Sequence, residues 1–357
     1  MTERIVSRDS LMVLFNELYS RRKDSLHVKY PFYDISLFDF QSDFRIANVV
    51  GKERLQEIRS EHIPENSFLR DDLPGYQELE SSFLSCGLLD YDNWDEFKKW
   101  MSDLVADSKD PRRMVGSLSF AIDTSVLYNK LFSAYLPVKD LGFSLDEIDV
   151  VISDVVRGEV SSRIKYKYRS SDLQDLKQVF RNRRFLDEFA NRNMLGTRKA
   201  KLAQKELDTF TRELSAPRVA GGEVPKDNEE RDIEIVKTYK VFSQKCGMNI
   251  ALITMDQNMA DHAKNGGVMY HTLVYPREAY KGGPIPPWSC LQLFHDLAVK
   301  FGVLVLSGIG VVVFGEWRGK TSQDYTKEKL KLLIDENSVI HNELVRDLDL
   351  CEKMLRI

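Results

Sequence analysis

The chain has 357 residues, 43% hydrophobic and 30% charged, with a formal net charge of -4 at pH 7. That length predicts two or three domains, at least one with a full buried core. The balance excludes a disordered chain and a uniformly cationic nucleic-acid binder, though a local basic stripe is compatible with it.

The N-terminal MTERIVSRDS is charged and lacks the apolar core of a signal peptide. Cys86, Cys246, Cys290 and Cys351 have no C-x-x-C spacing, which predicts neither a zinc site nor a disulfide framework. Both features suit a cytoplasmic location. Residues 1–115 mix helical signals at 11–19 and 94–105 with an aromatic, turn-rich stretch at 30–44, and are expected to form an N-terminal mixed α+β region of unassigned role. The polar Ser108-Lys109-Asp110-Pro111-Arg112-Arg113 suits a linker and sets a boundary near 115.

From 116 to 275 short apolar runs alternate with helical ones. Strands are predicted at 118–122, 148–152, 250–254 and 268–274. Fully apolar strands alternating with helices predict an α/β domain, three layers in α/β/α order around a central parallel sheet. A basic helical insertion at about 163–226, ending in the loop from Ser215 to Pro225, separates the second and third strands. Beyond it, Lys281-Gly282-Gly283-Pro284-Ile285-Pro286-Pro287 reads as a linker to a small C-terminal α+β region, 276–357, with a hairpin at 301–317 and a charged helix. The apolar run 301–314 is too short for a membrane span and is broken by Gly308 and Gly310, so no membrane contact is expected. Trp288, Trp317 and this hairpin read as a folding or oligomer-contact module, and a homo-oligomer is among the expected assemblies.

In an open parallel sheet the reactive groups gather beyond the carboxyl ends of the strands. Asp123 follows the first strand in FAIDTSVL, and Asp256 follows the third in ALITMDQNMADHAK. Ser153 is placed to cap the helix after the second strand, on which Val156, Glu159 and Arg163 share a side. Asp232 shares a helical stripe with Val236 and Tyr239 on the helix leading into the third strand; Asp227, Glu229, Glu230 and Glu234 are rivals for its role, and Asp261 is a further candidate ligand. Like charges brought together are unfavourable unless a cation neutralises them, so convergence of these acids predicts a divalent metal. All-oxygen ligands favour Mg2+ or Mn2+ over zinc.

Taken in order, IDTSVL, VVRGEV, RDIEIVKTY and LITMDQNM resemble the PIN-domain family of metal-dependent nucleases across roughly residues 116–275. The resemblance implies that Asp123, Glu159, Asp232 and Asp256 hold Mg2+ or Mn2+ and cleave RNA, as an endoribonuclease of structured or single-stranded cellular RNA. Ser125 stands where the family often has Asn, and the insertion before Asp232 is longer than in compact members.

The insertion carries Arg163, Lys165, Lys167, Arg169, Arg181, Arg183, Arg184, Arg198, Lys199 and Lys201, interleaved with Tyr166, Tyr168, Phe180, Phe185 and Phe189. These cations are the candidate RNA-binding set, with the aromatics able to stack on unpaired bases. Alternatively the cations solvate a helix face and the aromatics belong to the core. Two other functions fit the same pattern: a non-catalytic PIN-like RNA-binding scaffold, and a structure-specific DNA nuclease.

Overall fold

The computed structural model describes residues 1–20, 25–63, 71–113, 116–180, 182–222 and 224–354. Two compact units are present. One comprises Met1–Leu88, Lys165–Lys199 and Ala279–Ile357, and the other Leu89–Ile164 and Ala200–Glu278. This corrects the three consecutive regions expected from sequence, with breaks at 115 and 275. The proposed boundary residue 115 lies outside the described residues.

The physical reason is strand pairing between distant segments. An eight-stranded sheet in the first unit runs Thr2–Ser7, Lys329–Ile334, Val311–Phe314, Val303–Ser307, Leu26–Tyr30, Ile35–Gln41, Arg45–Ala47, Gly283–Pro284, with antiparallel neighbours throughout. The N-terminal and C-terminal regions therefore share one sheet. Within it, the expected hairpin forms by pairing of Val303↔Phe314 through Leu306↔Val311.

Residues 165–199 also belong to this unit rather than to an arm of the parallel-sheet domain. Phe180 stacks on Phe32 at 5.2 Å between ring centroids, and Phe185 meets Phe314 edge-on at 5.7 Å. Tyr168, Phe180, Phe185 and Phe189 are buried, so of the five aromatics offered for base stacking only Tyr166, 64% exposed, projects into solvent.

The second unit is built on a five-stranded, wholly parallel sheet ordered Arg218–Val219, Asp149–Ser153, Leu118–Ile122, Asn249–Thr254, Met269–Thr272. The expected strands are present within a residue or two at each end. Leu118–Ile122 is buried at every position, as a central strand covered on both faces must be. Helices Asp154–Ser162, Asn228–Cys246 and Gln257–Gly266 fill the connections. The helix Asn228–Cys246 stops at Gly247 in the left-handed conformation, φ 63°, and the Gly247 carbonyl lies so near Gly116 that a Cβ there would sit 2.5 Å from it. Two glycines thus seat the first central strand against the end of that helix. Among the described residues no helix is long and apolar enough to cross a membrane.

Candidate active-site cleft

Each of the four acids is delivered by a different segment of the second unit. Asp123 is the residue after the strand Leu118–Ile122 and caps the helix Thr124–Tyr128. Its Oδ1 accepts from the Ser125 amide and hydroxyl, both at 2.6 Å, and from the Val126 amide at 3.3 Å. Its Oδ2 accepts from the Thr254 hydroxyl. Tyr239 fixes the same strand end, donating to the Ile122 carbonyl at 2.7 Å and accepting from the Ser153 amide at 3.1 Å. Burial pushes the Asp123 carboxyl up to about 6, against the lowering effect of those hydrogen bonds.

Glu159 lies on the helix Asp154–Ser162, whose N-terminus Ser153 caps through the Val155 amide. One of its oxygens accepts from Thr124 Oγ1 at 2.5 Å. The other is shared by Arg163 at 3.0 Å and Arg231 at 3.4 Å. Asp256 caps the helix Gln257–Gly266, accepting from the Asn258 amide at 2.8 Å, and is exposed.

On the helix Asn228–Cys246, Asp227 caps the first turn through the amides of Glu229 and Glu230, and Glu234 accepts from Gly222 and pairs with Lys237. Asp232 has a different environment. Burial raises its carboxyl to about 6, and the charges of Asp256, Asp123 and Glu159 add to the rise, with His262 opposing it. That mutual repulsion marks carboxyls facing a common space.

The space is a cleft of about 740 Å³, lined by Asp123, Glu159, Asp232 and Asp256 together with Asp227, Glu229 and Asp261. Arg163, Arg231, His262, Tyr128, Thr124 and Ser125 complete its polar wall. Among the described residues no three Asp, Glu, His or Cys side chains stand together as a formed metal-binding group. The fit to a hard divalent cation is therefore one of donor chemistry: oxygen ligands only, with carboxyls that repel one another.

The candidate RNA-binding cations divide. Arg163 and Lys201 belong to the unit that carries the cleft, and Lys165, Lys167, Arg169, Arg183, Arg184, Arg198 and Lys199 to the other. Lys165, Lys167, Arg169, Arg183 and Arg184 are exposed. Arg181 lies outside the described residues. Arg198 is corrected outright: at 1% exposure it is core, donating to the carbonyls of Asn193 at 2.9 Å, Val299 at 2.9 Å and Lys300 at 3.0 Å. Lys199 pairs with the buried Glu78 at 2.8 Å.

Sequence reasoning missed Arg231, Tyr128 and the Thr254 hydroxyl; His262, a lone histidine to which spacing alone gives no role, also lines the cleft. Arg231 directly precedes Asp232, but neighbours on a helix point about 100° apart, and nothing in the spacing announces that both reach one cleft. Thr254 ends a strand on the same side as Asp123, a signal readable only once those strands are known to pair. No protein-family model matches the chain, and no curated protein matches it in sequence.

Proposed function

We propose that the unit comprising Leu89–Ile164 and Ala200–Glu278 is a metal-dependent nuclease, a three-layer PIN-like domain that hydrolyses phosphodiester bonds in RNA, most simply as an endoribonuclease. One observation carries the reading. Carboxylates from four segments separated by up to about 130 residues meet on one cleft at the carboxyl ends of adjacent parallel strands, where such folds place their chemistry.

Asp123, Asp232 and Asp256 are the residues that would hold Mg2+ or Mn2+, and Glu159 stands on the wall of the same cleft. When bound, the cation supplies an activated water and offsets charge on the phosphate oxygens. The chain's own work is positional. Ser125, Val126 and Thr254 fix both oxygens of Asp123, Tyr239 ties the ends of two adjacent strands, and the cap at Asp256 holds the third strand's tip. Preorganised acceptors of this kind need little rearrangement to receive a cation. RNA as the substrate comes from the sequence resemblance. The exposed Lys165, Lys167, Arg169, Arg183 and Arg184, beside the exposed Tyr166, make a surface suited to a phosphate backbone and a stacked base.

The test is cleavage of a labelled panel of single-stranded RNA, hairpin RNA, tRNA and matching DNA in Mn2+, Mg2+ or EDTA, with wild type and Asp123→Asn. The expected result is metal-dependent RNA cutting that is lost in the variant. DNA-only cutting would move the reading to a structure-specific DNA nuclease, and RNA binding without cutting by either protein would identify a scaffold.

A further inference from the structure

We propose that Glu159 is a counter-ion that stores two phosphate-binding guanidiniums, Arg163 and Arg231, and is not itself a ligand of the metal. The inference rests on the nuclease reading above and assigns the cleft's substrate-binding wall.

Both oxygens of Glu159 are engaged and, unlike those of Asp123, one of them is shared by two cations. Its Oε2 accepts from Thr124 Oγ1 at 2.5 Å, and its Oε1 is bracketed by Arg163 Nη2 at 3.0 Å and Arg231 Nη1 at 3.4 Å. Carboxylates held by two guanidiniums and a hydroxyl lose those charge-assisted bonds if they turn to a metal. Asp256 differs: it is exposed and accepts one capping bond, from the Asn258 amide.

The arginines answer a problem that the acids create. An anionic phosphodiester is repelled from an acid-lined cleft unless cations stand on its wall, and Arg163 and Arg231 both line it. A guanidinium's planar fork matches phosphate oxygens in pairs. Arg231, only 12% exposed, is anchored through Nε to the Asp227 carbonyl at 3.2 Å and through Nη2 to Asn228, which leaves Nη1 directed at Glu159. Arg163 has a side chain 52% exposed, open to an incoming phosphate. On the same wall Tyr128 carries a buried hydroxyl with no hydrogen-bond partner. Glu159 holds both guanidiniums within the cleft until substrate takes them.

Two titrations of the full chain test this: Mn2+ alone by calorimetry, and a short labelled single-stranded RNA by fluorescence anisotropy in EDTA across a salt series. Arg163→Ala, at a half-exposed site, should weaken RNA binding about 10-fold. It should also lower the slope of log Kd against log salt by about 0.7, the signature of one lost phosphate contact and not of a folding defect. Glu159→Gln should tighten RNA binding and leave Mn2+ affinity unchanged, whereas Asp232→Asn should lose Mn2+ affinity by at least about 10-fold. Loss of Mn2+ binding in Glu159→Gln equal to that in Asp232→Asn, or an unchanged salt slope in Arg163→Ala, overturns this inference alone. A wild type that binds no Mn2+ overturns the nuclease reading and this inference with it, so the two failures are told apart by the wild-type titration.

Discussion

Asp123→Asn should make the cleft-bearing unit more stable at pH 8 while abolishing the proposed cleavage. Burial raises the Asp123 carboxyl from its ordinary 3.8 to about 6. The folded state therefore keeps its proton to higher pH than the unfolded chain does. Between those values the unfolded chain binds fewer protons, so stability falls as pH rises through the window and the full penalty applies above about 6. At about 1.4 kcal/mol per pKa unit the ceiling is about 3 kcal/mol, and hydrogen-bond rearrangement brings the expected gain to about 1–3 kcal/mol. Asparagine keeps the geometry: Oδ1 still accepts from Ser125 and Val126, and Nδ2 donates to the Thr254 hydroxyl. The assay is hydrogen exchange by mass spectrometry on peptides spanning the strands Leu118–Ile122 and Asn249–Thr254, in EDTA, at pH 5 and pH 8, corrected for intrinsic rates. Wild type should lose protection between the two conditions and the variant should lose less. Protection in the variant at pH 8 equal to or below wild type, or the same pH dependence in both, refutes the argument that this carboxylate is held against its own desolvation.

Tyr239→Phe removes the donor to the Ile122 carbonyl and the acceptor for the Ser153 amide inside the core, so urea unfolding should show a loss of about 1–3 kcal/mol; a loss under about 0.5 kcal/mol would show that neither bond matters. Arg198→Met leaves three carbonyls, two of them buried, without their donor and should cost about 3–5 kcal/mol or prevent recovery of folded protein. Lys165→Ala, at an exposed site, should leave the melting temperature unchanged. In the first unit Lys320 is buried with its ammonium lowered from 10.5 to about 7, so the unfolded chain binds more protons between those values and stability should rise from pH 7 toward 10; Lys320→Met should flatten that rise in pH-dependent urea titrations.

Strand and helix identity were legible wherever a segment's own periodicity decides it. The apolar runs at 118–122 and 250–254 have no polar face, which left a strand buried on both sides as the natural outcome, and Asp123, Ser153, Asp227 and Asp256 all cap helices through their side chains. The basic insertion misled because charge density says nothing of which way a side chain turns. Arg198 and Lys199 are adjacent in sequence, yet the first disappears into the core with three carbonyl partners and the second, half-buried, pairs with the buried Glu78. Aromatics interleaved with cations suggested a stacking platform, and packing against Phe32 and Phe314 claimed Phe180 and Phe185 instead.

By itself the sequence determined four of the parallel-sheet unit's five strands, the order of its acids and the positions of Asp123 and Asp256 at strand ends, because each follows from local pattern; the edge strand Arg218–Val219, inside the segment read as a loop, does not. Only the tertiary structure decided the rest. It joined the first and last thirds of the chain into one antiparallel sheet, since pairing such as Thr2↔Ile334 is set by the whole fold's burial and leaves no short-range mark. It also chose Glu159's partners. A carboxylate on a helix face can ligate, pair or face solvent, and the arrival of Arg231 from a helix about 70 residues further along made it the centre of an ion-pair bracket.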